Sequence, residues 1–264
     1  MDLQLAGKRA LVTGSTGGIG YAIAEALVKE GASVIVNGRT GERVARTVEK
    51  LNTSGFRGRA EGIAADLGTS AGVEDTIQRF TEVDILVSNL GIFEVMPFEQ
   101  ITDDDWHRFF DVNVMSGVRL SRHYLPRMKE RNSGRIIFIS SESGIQTPVE
   151  MVHYGMTKTA QLAISRGLAE STAGTNVTVN SVLPGPTASE GVEQFMSQIA
   201  AQRKMDSKTF EEEFFRTVRP SSLIKRFSDP KEVAALVVFV CSPLSSSING
   251  TALRVDGGTV RSII

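Results

Sequence analysis

Short apolar runs alternate with amphipathic stretches along almost the whole chain. "KRALVTG" is a first strand-like run ending in glycine, and "STGGIGYAIAEALVKEG" then opens a helix with Ile19, Ile23, Ala26 and Leu27 on one face and Gly31 at its close. "ASVIVNG" predicts a second strand, followed by an Arg- and Glu-rich helix over residues 42–51, and "AEGIAADL" a third, followed by a helix over 71–80. "VDILVSNLG" is a continuously apolar fourth strand. "TDDDWHRFFDVNVMSGVRLSRHYLPRMKER" then predicts one long helix into Arg131, with Thr102 and Asp105 at capping-box spacing. "GRIIFISS" is strand five, "HYGMTKTAQLAISRGLAESTA" a long helix and "NVTVNSVLPG" strand six. A polar, charge-rich segment over 187–219 interrupts the rhythm. "DPKEVAALVVFVCS" gives a last helix with Pro230 in its first turn, and "ALRVDGG" a seventh strand.

Continuously apolar strands separated by helices predict a parallel sheet covered on both faces, a doubly wound α/β fold. Right-handed crossovers place the loops after the strand carboxyl ends along one edge, where function is expected. No linker-like break divides the chain, so residues 1–264 are expected to form one domain. The formal net charge of −1 gives no general attraction to nucleic acid or to an anionic membrane surface. Cys241 is the single cysteine and ends an apolar run, which predicts a buried free thiol. No basic-then-apolar leader stands at the start and no apolar stretch approaches the ~20 residues that span a bilayer, so a soluble, cytoplasmic protein is expected.

The first strand ends in "TGSTGGIG", whose Gly14, Gly18 and Gly20 allow a tight turn and close backbone approach to a pyrophosphate at a helix N-terminus. Taken together with "SNLG" at 88–91, Asn113, "SSESG" with Ser141, Tyr154 and Lys158 as Y-x-x-x-K, and "PGPT" at 184–187, this order resembles the short-chain dehydrogenase/reductase family. The likeness is to its single-domain branch similar to 3-oxoacyl reductases, and it runs from Gly7 to the "VDGG" at 255–258. It implies a seven-stranded Rossmann sheet and an NAD(P)-dependent oxidoreductase acting on CH–OH groups.

The chemistry follows from the residues as well. Hydride exchange with a carbonyl needs a proton moved at its oxygen, and a free phenol titrates near ~10, so a tyrosine doing this needs its anion stabilised. Tyr154 and Lys158 lie four apart on one helix face, where the ammonium can lower the phenol's pKa. The resemblance implies that Lys158 also binds the cofactor ribose, that Ser141 holds the substrate oxygen beside Tyr154, and that Asn113 holds a water extending the relay. Ser140 and Ser143 are close rivals, so Ser141 rests on spacing. His153 adjoins Tyr154, but no residue is placed to complete a Ser-His arrangement, and "TDDD" at 102–105 suits a helix cap better than a metal; no metal is expected.

For the cofactor the resemblance implies contacts from Gly14, Ser15, Thr16, Gly18, Ile19 and Gly20 in the first loop. Asp66 and Leu67 follow after strand three, Asn89 and Gly91 after strand four, and Pro184, Gly185 and Thr187 after strand six. Gly38 stands where NAD-selective relatives carry an acid, and Arg39 follows it. An arginine fork suits a 2′-phosphate, with Ser15 and Thr40 as further donors, so NADP is favoured and NAD remains open. Leu90 departs from the small residue usual in the family's "NAG".

The 187–219 segment is expected to form a substrate lid, with Phe195, Met196, Ile199, Phe210, Phe214 and Phe215 as its apolar faces. Phe93, Val95, Met96, Ile145, Gln146 and Val149 are candidate pocket walls, which suit a small, mostly apolar carbonyl or secondary alcohol. An NAD-linked dehydrogenase working oxidatively and a catalytically silent dinucleotide-binding sensor are the alternatives. The resemblance implies a homotetramer formed through the helices near 105–130 and 152–172 and the last strand.

Overall fold

The computed structural model describes residues 2–192 and 205–263. Seven parallel strands form one sheet in the order β3-β2-β1-β4-β5-β6-β7. They are β1 (Arg9–Val12), β2 (Ser33–Gly38), β3 (Arg59–Ala64), β4 (Ile85–Ser88), β5 (Gly134–Ile139), β6 (Val177–Pro184) and β7 (Ala252–Val255). The strand order reverses direction between β1 and β4, and in sheets of this kind the crevice at that reversal receives the ligand.

On one face α1 (Gly18–Lys29), α2 (Gly41–Asn52) and α8 (Pro230–Cys241) pack through Ile23, Leu27, Leu51 and Val237 against Val12, Val34 and Val87. On the other, α3 (Ser70–Arg79), α5 (Ser116–Glu130) and α6 (Val152–Glu170) pack through Val73, Leu120, Tyr124 and Ala169 against Leu11, Ile35 and Ile136. Burial on both faces accounts for the unbroken apolar strands. Cys241 is a buried free thiol, as its apolar context predicts. No helix among the described residues is long and apolar enough to cross a membrane.

Helix starts follow local chemistry. Thr102 Oγ1 accepts from Asp105 N and Asp105 returns the bond to Thr102 N, both at 3.2 Å, which completes the predicted capping box at α4 (Asp103–Phe110). Asp229 and Glu232 make a second box at α8, with Pro230 in its first turn. The expected long helix over 102–131 is divided. Between α4 and α5 the turn Asp111–Met115 is a π-helix, which widens the ladder by one residue. A further helix, α7 (Ser207–Thr217), belongs to the expected lid; Phe195, Met196 and Ile199 lie outside the described residues. Phe210 and Phe215 are buried, and Phe214 stacks on Phe227 at 5.1 Å, so these aromatics dock the segment onto the body.

Candidate active site

The loop between β1 and α1 is built for close approach. Gly14 and Gly18 hold φ of +60° and +54°, a region that favours glycine, and a Cβ on Gly20 would meet Gly14 O at 2.4 Å and Asn89 Nδ2 at 2.5 Å. Asn89 supports the turn: its Nδ2 donates to Thr13 O at 2.9 Å and Gly14 O at 3.2 Å. The cradle therefore fits a pyrophosphate lying on the α1 N-terminus.

At the end of β2, Arg39 is exposed and makes no ion pair with the described residues, whereas Gly38 is fitted to the loop. A Cβ at Gly38 would sit 2.6 Å from Thr16 Cγ2. Ser15 corrects the expectation of a phosphate donor. It is fully buried, its hydroxyl donates to Val12 O at 2.7 Å, and Asn37 N donates back to it at 3.0 Å. Thr16 and Thr40 stay available. The side chain of Leu67 is sealed in the core, leaving its backbone alone for any cofactor contact, while Asp66 is exposed and accepts from Gly68 N.

One cavity of about 540 Å³ at the carboxyl edge collects most of the remaining predicted residues. Ile19, Gly91, Pro184, Gly185 and Thr187 line it beside Phe93, Ser141, Tyr154 and Lys158. Ile145 and Gln146 are not on its wall: Ile145, just past the 3-10 turn Glu142–Gly144, is 47% exposed, and Gln146 lines with Val149 an adjoining cavity that shares Glu142, Glu150 and Arg219 with the first. Ser140 Oγ donates to Lys158 O at 2.9 Å, Ser143 Oγ and Ser141 Oγ both donate to Glu142, and of the three it is Ser141 that acts on Tyr154.

Burial pushes the Tyr154 phenol above its ordinary value, and a hydrogen bond with Ser141 works the other way. Burial also brings the Lys158 ammonium down to about 8. Its Nζ donates to Ile139 O at 2.9 Å and lies 5.6 Å from the Tyr154 ring centroid. In the chain by itself loss of solvation dominates, which favours the neutral phenol.

Asn113 sits fully buried in the π-helical turn. Its side chain clamps residue 92, accepting from Ile92 N at 2.7 Å and donating to Ile92 O at 2.9 Å, and reaches Thr157 Oγ1 at 3.0 Å. Its main-chain oxygen accepts from Gln161 Nε2 at 2.5 Å, and Gln161 Oε1 lies 3.4 Å from Lys158 Nζ. A fully buried glutamine thus ties the widened turn to the lysine. Gln161 escaped the sequence reading, although a polar residue one turn after Lys158 on a buried face was a visible signal.

Glu142, Glu150, Glu213 and Arg219 also escaped it, and all line the cavity. Glu142 Oε2 accepts from Ser141 Oγ at 2.5 Å, and Arg219 Nε donates to Glu142 Oε1 at 3.2 Å. The wall is therefore less apolar than expected. Among the described residues no group of three or more His, Cys, Asp or Glu is placed to hold a metal.

A dinucleotide cradle that opens into one cavity with a buried Ser and Lys and a half-buried Tyr is the arrangement of a nicotinamide-dependent oxidoreductase. The chain belongs to the short-chain dehydrogenase family, whose model, described as "short chain dehydrogenase", matches residues 8–200. It is 52% identical over 263 residues to the oxidoreductase YvaG of Bacillus subtilis (strain 168), covering 100% of both chains. It is 34% identical over 263 residues to the 3-oxoacyl-[acyl-carrier-protein] reductase FabG of Aquifex aeolicus (strain VF5), covering 98% of this chain and 99% of that one. The structure of L-sorbose reductase from Gluconobacter frateurii, complexed with NADPH and L-sorbose, superposes with a TM-score of 0.93 at 31% identity over 100% of each chain. The parallel seven-stranded sheet read from the sequence is the fold these proteins share.

Proposed function

We propose that the protein is an NADP-dependent oxidoreductase that exchanges hydride with the carbonyl or secondary alcohol of a small substrate, with Tyr154 as general acid/base. The observation that carries this reading is the meeting of Ser141, Tyr154 and Lys158 with Pro184, Gly185 and Thr187 on the wall of one cavity. A bound nicotinamide supplies the hydride. The chain supplies the proton and the geometry: Tyr154, held neutral by burial, has a proton to give to a developing alkoxide. Lys158, one turn along the same helix and 5.6 Å from the Tyr154 ring centroid, sets its positive charge near the phenolate left behind while its Nζ keeps its bond to Ile139 O.

The exposed Arg39, without an ion pair among the described residues, and the absence of an acid at Gly38 support NADP, as does the NADPH bound to L-sorbose reductase. The readings are tested with Tyr154→Phe and a panel of carbonyls and alcohols followed by nicotinamide absorbance. Turnover by the unmodified protein and its loss in the variant, with cofactor binding preserved, is the expected result; a fully active variant would overturn the role of Tyr154. Tighter binding of NADH than NADPH by the unmodified protein would transfer the assignment to NAD.

A further inference from the structure

The cavity wall around Ser141 carries charge that the hydride chemistry does not use. Glu142 follows Ser141 directly and is 5% exposed. Its Oε2 takes the Ser141 hydroxyl at 2.5 Å and Ser143 N at 2.9 Å. Its Oε1 takes Arg219 Nε at 3.2 Å, a partner brought in from 77 residues away just after α7. The Arg219 side chain is 13% exposed, and its Nη1 lies 3.6 Å from Glu150 Oε1. Glu213 lines the same cavity. Glu142 and Glu150 thus stand together against Arg219 on this wall.

Two consequences follow for a substrate. Arg219 is paired with Glu142 and stands near Glu150, so two carboxylates already balance its charge. Its Nη2, which has no partner among the described residues, and the half-buried Glu150 carboxylate still offer a donor and an acceptor to neutral hydroxyls. We propose that this site selects uncharged, hydroxyl-bearing ketones and rejects carboxylates, with Glu142 as the residue that sets the rejection. This rests on the oxidoreductase reading above. A substrate carboxylate seated beside Ser141 would face the buried Glu142 carboxylate, and like charges there repel more strongly than in water. An apolar chain would cover Arg219 Nη2 and the Glu150 carboxylate without giving either a hydrogen bond.

Three four-carbon ketones separate these cases: erythrulose bears hydroxyls, acetoacetate a carboxylate and 2-butanone neither. With NADPH, the unmodified protein should reduce erythrulose with a kcat/KM about tenfold or more above that of either other ketone. Glu142→Gln keeps an acceptor for Ser141 but removes the charge, and should shrink the erythrulose-to-acetoacetate ratio about tenfold; Arg219→Gln should widen it. If Glu142→Gln fails to fold, Glu150→Gln, at a more exposed carboxylate, should move the ratio the same way by about threefold. An unchanged ratio in a folded, NADPH-binding variant overturns the proposal, as does preference of the unmodified protein for acetoacetate or 2-butanone. Reduction of none of the three, together with no turnover on the wider carbonyl panel, overturns the oxidoreductase reading with it; reduction in the wrong order overturns the selectivity alone.

Discussion

His153 is fully buried, and neither ring nitrogen has a hydrogen-bond partner. Its ring packs 4.0 Å from that of Phe109 and 6.1 Å from that of Trp106, between centroids. Burial, assisted by Arg108, holds its pKa below the ordinary value against the opposing pull of Glu94 and Asp105. In the unfolded chain the imidazole titrates near ~6.5. Below that pH the unfolded state binds a proton that the folded state refuses, so stability falls as pH drops and is level above it. Each pH unit costs at most about 1.4 kcal/mol, which bounds the His153 contribution at about 2 kcal/mol by about pH 5. Urea unfolding from about pH 7.5 to about pH 5, run on the unmodified protein and on His153→Leu, isolates it. His123, whose pKa burial also lowers, is present in both proteins and cancels in the difference. The leucine variant should lose up to about 2 kcal/mol of the acid-side slope. Equal slopes in the two proteins would refute the reasoning.

Other perturbations probe the remaining parts. Arg39→Ser should weaken NADPH binding about 10- to 100-fold and leave NADH nearly unchanged in a fluorescence titration; equal weakening of both would remove Arg39 from phosphate recognition. Gly38→Ala places a Cβ 2.6 Å from Thr16 Cγ2 and should cost about 1–3 kcal/mol in thermal unfolding, partly recovered by adding Thr16→Ser. Gln161→Leu leaves the Asn113 carbonyl without its donor, at about 1–3 kcal/mol of stability, and should lower kcat more than it raises KM because Lys158 loses a neighbour.

The strands and most helices were legible because each buries a continuous run or a single stripe, and those patterns survive in sequence. The site was legible where one short segment carries two members, as with Tyr154 and Lys158. It was not legible where a partner arrives from far along the chain. Glu142 reads as a polar loop residue until Arg219 is seen beside it. Ser15 reads as a donor facing a phosphate until its hydroxyl is found turned back onto Val12 O. Ile145 and Gln146 follow a 3-10 turn, which leaves no hydropathy signature, and it is the structure that shows Ile145 exposed and Gln146 on the adjoining cavity.

The π-helical turn at Asp111–Met115 gives chain length a role in this protein. Each residue advances an α-helix by about 100°, so one extra residue in the ladder sets the faces of α4 and α5 out of phase by that amount. Deleting a single residue there would restore an unbroken helix, and Phe109 and Leu120 could not then both remain in the core. The Asn113 carbonyl would also return to the helix ladder and become unavailable to Gln161. Surface loops elsewhere tolerate insertions and deletions. The span from Thr102 to Glu130 is a counted length, in which losing one residue would do what no side-chain substitution does.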